Sequence, residues 1–392
     1  MSFLRDIAPS TIAAGFLVAL IGYAGPLLIY LQASEAMGFS GIVFSSWVFA
    51  ISLAAGVSSI LLSLWLKMPA VTAWSAPGTV LLISIGQTIP FTEIVGAYLV
   101  TALVIFVVGA SGVYDRLVAA IPRTVASGMM AGILFRFGAD AMGSLGSEPV
   151  MFAILLTAFL VLNVWMPRYT VILLLGIGVA LAWGVYDVPV ETVSATLATP
   201  VLTMPVFSAE AVLSLGVPLV LITLSGQFLP GIAIIRANGY NISARPTLVV
   251  ASLTSIPAAF FGGITTALAA ITAALCASPA AHADPRRRYT AGVAAGVFLC
   301  IGGVFAGSIV ELLVLLPASM IALLAGLALL GAILKGLSDT LAGPDDVQAG
   351  LLAFIITTAD FSLWGVSSAF WGVIVGVAAV HLTRMANYVA KR

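Results

Sequence analysis

Two stretches decide how this chain folds: Pro69-Ala-Val-Thr-Ala-Trp-Ser-Ala-Pro-Gly78 and Phe261-Gly-Gly-Ile-Thr-Thr266. Each breaks an apolar run with residues that resist a helix. A residue before proline avoids helical angles, and proline is favoured in the first helical turn. The first stretch therefore predicts extended chain over Val71 to Ala76 and a half-helix starting at Pro77. In the second, two glycines free the backbone, and Thr265 or Thr266 is placed to cap the helix that follows.

Working outward, the runs that flank these breaks are long and apolar. The chain has 392 residues, 61% hydrophobic and only 8% charged, with a mean hydropathy of +1.19. Soluble domains carry about 25% charged residues. Apolar stretches of bilayer-spanning length recur along the sequence, and none of the polar stretches between them is long enough for a separate soluble domain. This predicts an all-α polytopic membrane protein. The first apolar segment runs on without a cleavage site and reads as a retained span. Cys276 and Cys300 lie in apolar surroundings and read as packing groups. The net charge of zero gives no reason to expect a nucleic-acid partner.

Breaks at turn residues and charges divide the chain into fourteen spans. They are read at 10–32, 40–66, 70–87, 91–112, 121–139, 149–166, 169–186, 208–235, 245–261, 264–277, 288–308, 316–337, 347–360 and 364–388. On this count fourteen of the 15 Lys and Arg residues fall on the side of the termini, and Arg136 falls opposite. Basic residues gather on the cytoplasmic side, so both termini are expected there. The far side carries Glu35, Glu93, Asp140, Glu148, Asp187, Glu191, Glu210, Glu311 and Asp360.

The halves echo each other at an offset near 195 residues. Pro122 matches Pro317, Pro149 answers Pro344, and span three lands on span ten. Seven spans per half make the second half inverted. Inverted repeats with paired interrupted helices are a common build of secondary transporters, with substrate bound where the broken helices meet. A structural membrane protein with incidental symmetry is the alternative.

The expected site follows from helix ends. A half-helix presents unpaired N–H groups and a positive dipole end, and two such ends make an anion site without cationic side chains. Spans three and ten contain no Lys or Arg. Candidate substrate-binding residues are Ser75, Ala76 and Gly78 at the first end and Ile264, Thr265 and Thr266 at the second. Trp74 reads as an aromatic wall or as interface packing. Gln227, beside Phe228 in Ser225-Gly-Gln-Phe-Leu-Pro-Gly231, reads as a substrate ligand or as interhelical glue. Tyr23, in Gly22-Tyr-Ala-Gly-Pro26, is a weaker candidate. Arg136 reads equally as an anion-steering group or as a side chain reaching the headgroups. His381 reads mainly as a packing residue. Glu93 and Asp360 read as interfacial, so a buried carboxylate for proton coupling is missing. No metal-ligand spacing, cofactor motif or nucleophile–base pair is present, which argues against an enzyme.

Several stretches together resemble the bacterial benzoate/proton symporter family. They are Thr72-Ala-Trp-Ser-Ala-Pro-Gly78, Ala131-Gly-Ile-Leu-Phe-Arg-Phe-Gly138, Ala270-Ile-Thr-Ala-Ala-Leu-Cys276, Ser278-Pro-Ala-Ala-His282 and Ser368-Ala-Phe-Trp-Gly372. The resemblance runs over essentially the whole chain. It implies the seven-plus-seven inverted fold shared with uracil/xanthine and sulfate transporters. The core would comprise 1–114 and 208–308, and the gate 115–207 and 309–392. It also implies a bacterial inner-membrane carrier surrounded by lipid, homodimerisation through the gate, and proton-coupled uptake of benzoate or a related aromatic carboxylate. Gln227 would orient the carboxylate, and Trp74 and Phe228 would contact the ring. Nucleobase carriers place carboxylates on the eighth and tenth spans. This chain offers Gln227 and Phe228, and Ala269 to Ile271, which suits an anionic ligand. Another organic or inorganic anion and an anion channel are the rival readings.

Overall fold

A computed structural model describes residues 5–39, 41–86, 88–120, 122–185, 195–342 and 346–390. Asp187, Glu191, Pro344, Lys391 and Arg392 lie outside the described residues. The order of elements is α1 Pro9–Ala24, α2 Pro26–Ala36, α3 Gly41–Leu66, β1 Thr72–Trp74, α4 Ala76–Ile85, α5 Phe91–Ser111, α6 Tyr114–Ala120, α7 Arg123–Met142, α8 Pro149–Trp165 and α9 Thr170–Gly184. There follow α10 Ala209–Ala237, α11 Ala244–Ala259, β2 Thr266–Leu268, α12 Ala270–Ala277, α13 Tyr289–Val304, α14 Ala306–Val314, α15 Ala318–Leu341, α16 Val347–Thr358, β3 Ser362–Leu363, β4 Val366–Ser367 and α17 Ser368–Ala390.

The protein is mostly helical. Among the described residues, six helical stretches have the length and apolarity to cross a bilayer: α1 with α2, α3, α5, α10, α15 and the 368–385 part of α17. A seventh is obtained if the 285–304 stretch and α14 form one bent span. Helices α4, α8, α9 and α16 are apolar but shorter.

Breaks follow local chemistry. The α1–α2 run parts at Gly25, where Pro26 cannot donate its missing N–H. Helix α10 widens into π-helical turns over Val212–Gly216 and Ile222–Phe228. Each wide turn ends shortly before a proline, Pro218 or Pro230. A proline lacks the N–H and crowds the preceding carbonyls, and a wider turn relieves both.

Three boundaries differ from the sequence reading. The segment read as 288–308 bends by 69° near Phe305 and continues to Val314. The segment read as 364–388 becomes helical only at Ser368. Before it, β3 and β4 form a small antiparallel hairpin, tightened by Trp364 and Gly365 at φ values of 54° and 75°. The second half-helix starts at Ala270, because the preceding residues are drawn into a strand.

The helices pack as two groups. Helix α13 lies along α3 and α1, and α11 along α5 and α3; helix α7 lies along α15 and α16, and α16 along α17. Small residues permit the close crossings. A Cβ on Gly56 of α3 would come within 2.6 Å of the Gly296 carbonyl of α13, and one on Gly296 within 2.5 Å of the Gly56 carbonyl. Gly128 and Gly132 of α7 bring that helix equally close to the α16 backbone.

Candidate functional site

The two breaks meet as an antiparallel strand pair inside the first helix group. Thr72 is opposite Leu268, Ala73 opposite Ala267, and Trp74 opposite Thr266. The Ala269 amide extends the ladder by donating to the Val71 carbonyl at 2.9 Å. Each strand leads straight into its half-helix. Because the strands are antiparallel, α4 begins beside Thr266 and α12 begins beside Thr72. Ala269, the residue before α12, is in register with Val71, and Ser75 precedes α4, so the two helix amino ends are staggered along the pair by about 13 Å, four strand residues.

Matching polar knots hold the strands. The Thr72 amide donates to Ser59 Oγ at 2.9 Å, and the Thr72 hydroxyl donates to the Ala55 carbonyl at 2.8 Å. The Thr266 amide donates to Ser255 Oγ at 3.0 Å, and its hydroxyl donates to the Ala251 carbonyl at 3.2 Å. Both threonines are buried. Buried backbone donors need such partners. The signal in sequence is serine in otherwise apolar helices, Ser58 and Ser59 in α3 and Ser255 in α11, which the sequence reading passed over.

At the first helix end, Ser75 is the N-cap, and its Oγ accepts from the Gly78 amide at 3.1 Å. Thr79 donates its amide to the Ser75 carbonyl. Pro77 has no N–H, so Ala76 supplies the uncapped donor of this turn. Gly78 is buried, and a Cβ there would meet Leu219 at 2.5 Å and Ile264 at 3.0 Å. The start of α4 thus packs against α10 and against the chain entering β2.

The second helix end differs from expectation. Neither Thr265 nor Thr266 caps it. Gly262, at a φ of 84°, turns the chain out of α11, and a Cβ there would come within 2.0 Å of the Trp47 ring. The following residues extend to pair with β1, so capping falls to Ala269, which has no side-chain acceptor. The Ile264 amide donates to the Tyr30 hydroxyl at 3.2 Å. The Thr266 amide and hydroxyl are engaged as described. Ile264 and Thr266 therefore position the strand, and their polar groups already have partners.

Of the ten side-chain polar atoms buried without a hydrogen-bond partner among the described residues, three belong to the candidate residues: Trp74 Nε1, Thr265 Oγ1 and Gln227 Oε1. Such atoms are costly unless something completes them. Trp74 is only 3% exposed. Gln227 lies on the π-helical turn of α10, and that turn packs against β2 and α4. Wide turns of this kind are frequent at functional sites. An amide can offer its oxygen or, turned over, its NH2 group.

The remaining candidates are less open. The Tyr23 hydroxyl is hydrogen-bonded to Ser52 Oγ at 2.8 Å and the Leu299 carbonyl at 3.0 Å. Its ring lies 5.9 Å from Trp74. Phe228 is fully buried and packs in a cluster with Leu224, Ile232 and Leu268, so it supports the site from behind. His381 is exposed on α17 and is not a buried packing residue. The site has no cationic or acidic side chain among the residues named, and its unpartnered groups are Trp74 Nε1, Thr265 Oγ1 and Gln227 Oε1.

Similarity to known proteins shows the family and the fold. The sequence profile described as benzoate membrane transport protein, BenE, matches residues 5–382. The chain is 43% identical over 375 residues to the benzoate membrane transport protein of Acinetobacter baylyi, covering 96% of this chain and 95% of that one. It is 38% identical over 373 residues to inner membrane protein YdcO of Escherichia coli, covering 95% of each. Among solved structures, murine Slc26a9, an anion transporter in the inward-facing state, superposes with a TM-score of 0.68 at 14% identity. That match covers 98% of this chain and 70% of the other. The transmembrane domain of the cyanobacterial bicarbonate transporter BicA gives 0.59 at 14% identity, covering 95% of this chain and 98% of the other. At such identities the structural likeness shows the fold alone. The family match over nearly the whole sequence shows a membrane transporter, not an enzyme, and the chain belongs to the benzoate membrane transport protein family.

Proposed function

We propose that this protein is a proton-coupled carrier that takes up benzoate or a closely related aromatic monocarboxylate by alternating access. The observation that carries the reading is the strand pair flanked by two half-helix amino ends, with Trp74 Nε1, Thr265 Oγ1 and Gln227 Oε1 buried and unpartnered beside it. Donors on a neutral site suit a carboxylate. The rings of Trp74 and Tyr23 suit an aromatic body. The relatives named for benzoate support the same substrate class.

The architecture we infer is fourteen spans in two inverted halves. The matched knots at Thr72 and Thr266 support the repeat, since they recur at the offset found in sequence. The strand and half-helix units would form the core, with α1 to α5 and α10 to α13. Helices α7 to α9 and α15 to α17 would form the gate, and core would move against gate. Basic residues gathered at one end support cytoplasmic termini in a bacterial inner membrane. There Arg287 donates to the Arg5 and Asp6 carbonyls at 2.8 and 3.1 Å, and Lys67 lies over the Tyr289 ring. Lipid surrounds the bundle, and a homodimer through the gate is part of the same proposal.

Uptake of labelled benzoate into proteoliposomes, with and without an inward proton gradient, tests the function. Accumulation driven by the gradient is expected. No uptake above empty liposomes overturns it. The solved neighbours, named for anion and bicarbonate transport, favour a second reading in which another anion is carried on the same fold. A competition panel separates the two, because an aromatic acid should displace the label and bicarbonate or sulfate should not.

A further inference from the structure

A second polar site lies away from the strand pair, at the outer mouth of the seam between the two helix groups. Helix α7 carries Arg136 and Asp140 there, one turn apart, and the chain leaving α16 carries Asp360. The Arg136 guanidinium pairs with the Asp360 carboxylate through Nη1. Its Nε lies 3.8 Å from the Asp140 carboxylate. These groups border a cavity of about 280 Å³, at the small end of ligand clefts. Half-helix α4 forms a facing wall through Leu81 and Ser84, and Ile133 and Phe137 add apolar surface. The cavity thus joins a guanidinium to an apolar wall, and the half-helix bordering it also builds the substrate site.

Charge makes the site informative. Arg136 is the one basic residue that the charge pattern assigns to the outer side. Two carboxylates share it, so the cluster carries one negative charge in excess. An incoming carboxylate that simply displaced Asp360 would leave Asp360 unpaired and raise the excess from one negative charge to two. Protonation of Asp360 removes that obstacle. Arg136 and Asp360 are 42% and 32% exposed, so both water and a ligand can reach the pair.

We propose, resting on the carrier function above, that Arg136 is the outer loading site for the substrate carboxylate and Asp360 the group that takes up the coupled proton. The substrate carboxylate replaces Asp360 on the guanidinium, and a proton from the outer solution bonds to the freed Asp360 carboxylate. Charge balances, because one anion and one proton enter together. The charged groups facing Asp360 are Arg136 and Asp140 from α7. Behind the hairpin, Glu210 of α10 lies beside Gly365; the α4 and α17 residues lining the cavity bring no charge. Asp360 stands at a φ of 45° at the start of the turn leading to the β3–β4 hairpin. Its release from Arg136 therefore frees the segment that bonds α10.

The test uses purified full-length protein, with wild type, R136Q, R136K, D360N and the R136Q/D360N pair, and D339N as a control at a distant surface ion pair. Calorimetry in two buffers of different ionisation enthalpy reads proton uptake with benzoate, and proteoliposomes read transport. Wild type and D339N should take up a proton with each benzoate bound. D360N should bind benzoate without proton uptake and should exchange it, yet fail to accumulate it on a proton gradient. R136Q should raise KM by at least about tenfold, R136K by less. The neutral pair keeps the comparison usable if a lone charge prevents folding, and it should lose both proton uptake and tight binding. Wild-type proton uptake in D360N, or an unchanged KM in R136Q, overturns the assignment. If wild type transports no benzoate, the carrier reading has failed; if it does and the variants match it, only this site has.

Discussion

Ser214 of α10 and Ser367 of β4 are hydrogen-bonded twice. The Ser367 amide donates to Ser214 Oγ at 3.2 Å, and the Ser367 hydroxyl donates to the Ser214 carbonyl at 2.9 Å. Ser214 Oγ also donates to the Gly365 carbonyl at 3.1 Å. This clasp ties a helix of the proposed core to a hairpin of the proposed gate. Neutral hydrogen bonds contribute about 1 kcal/mol each, so three hold this closure by about 3 kcal/mol, enough to set which state dominates. With Cys276 and Cys300 replaced by alanine, S214C/S367C should oxidise to a disulfide that blocks uptake, and reductant should restore it. Full transport by the cross-linked protein would rule out movement at this seam.

Gln227 is placed to separate binding from stability. Its Oε1 is buried and has no partner, so removing the amide relieves an unsatisfied group. Q227L should leave thermal stability in detergent unchanged or slightly raised. A hydrogen bond to a charged ligand is worth about 1.5–3 kcal/mol, so benzoate affinity should fall by about 10- to 100-fold. T265V should act in the same direction, since Thr265 Oγ1 is also unpartnered. A Q227L protein that loses stability but keeps its affinity would show that Gln227 is interhelical glue.

The two interruptions were legible because proline and paired glycines stand inside apolar runs where few residues can substitute for them. Their exact ends were not. Ser75 reads as a cap from its own sequence, since a short acceptor precedes a proline-led turn. Thr265 and Thr266 look alike in sequence, yet one is bonded and one is orphaned, because the strand partner Trp74 fixes which side chain turns toward α11. That register depends on residues almost 200 positions away. The Arg136–Asp360 pair was hidden for the same reason, as Arg136 sits on α7 and Asp360 on the chain leaving α16, over 200 positions away. The β3–β4 hairpin was missed because Trp364 and Asp360 adopt positive φ, a backbone state that non-glycine residues rarely signal.

The threonine knots carry a stability prediction. Thr72 and Thr266 each bond a serine and a carbonyl of the preceding helix. T72V and T266V keep the shape and delete the hydroxyl's own hydrogen bonds, while the Ala55 and Ala251 carbonyls keep other side-chain donors. Each should destabilise the protein by about 1 kcal/mol, seen as a lower midpoint in detergent thermal unfolding. Added benzoate should recover part of the loss in both, since binding stabilises the folded state. Stability equal to wild type in both variants would show that the strand pair is held by packing alone.

Arg288 gives the last prediction. Counted by sequence only as an inner-side charge, it is 5% exposed and directs its donors inward. Nη1 donates to the Ala277 carbonyl at 2.8 Å, Nε to the His282 carbonyl at 2.7 Å, and Nη2 to the Ala283 carbonyl at 3.3 Å. Ala277 is the last residue of α12, where a cation complements the negative end of the helix. The guanidinium thus anchors the far end of the half-helix whose near end builds the substrate site. R288K keeps the charge and loses the three-way fork, so it should retain folding while weakening benzoate binding several-fold. R288A leaves those carbonyls without their donor and should cost about 3 kcal/mol of stability. If R288K binds benzoate as tightly as wild type, the charge alone suffices and the fork does not position α12.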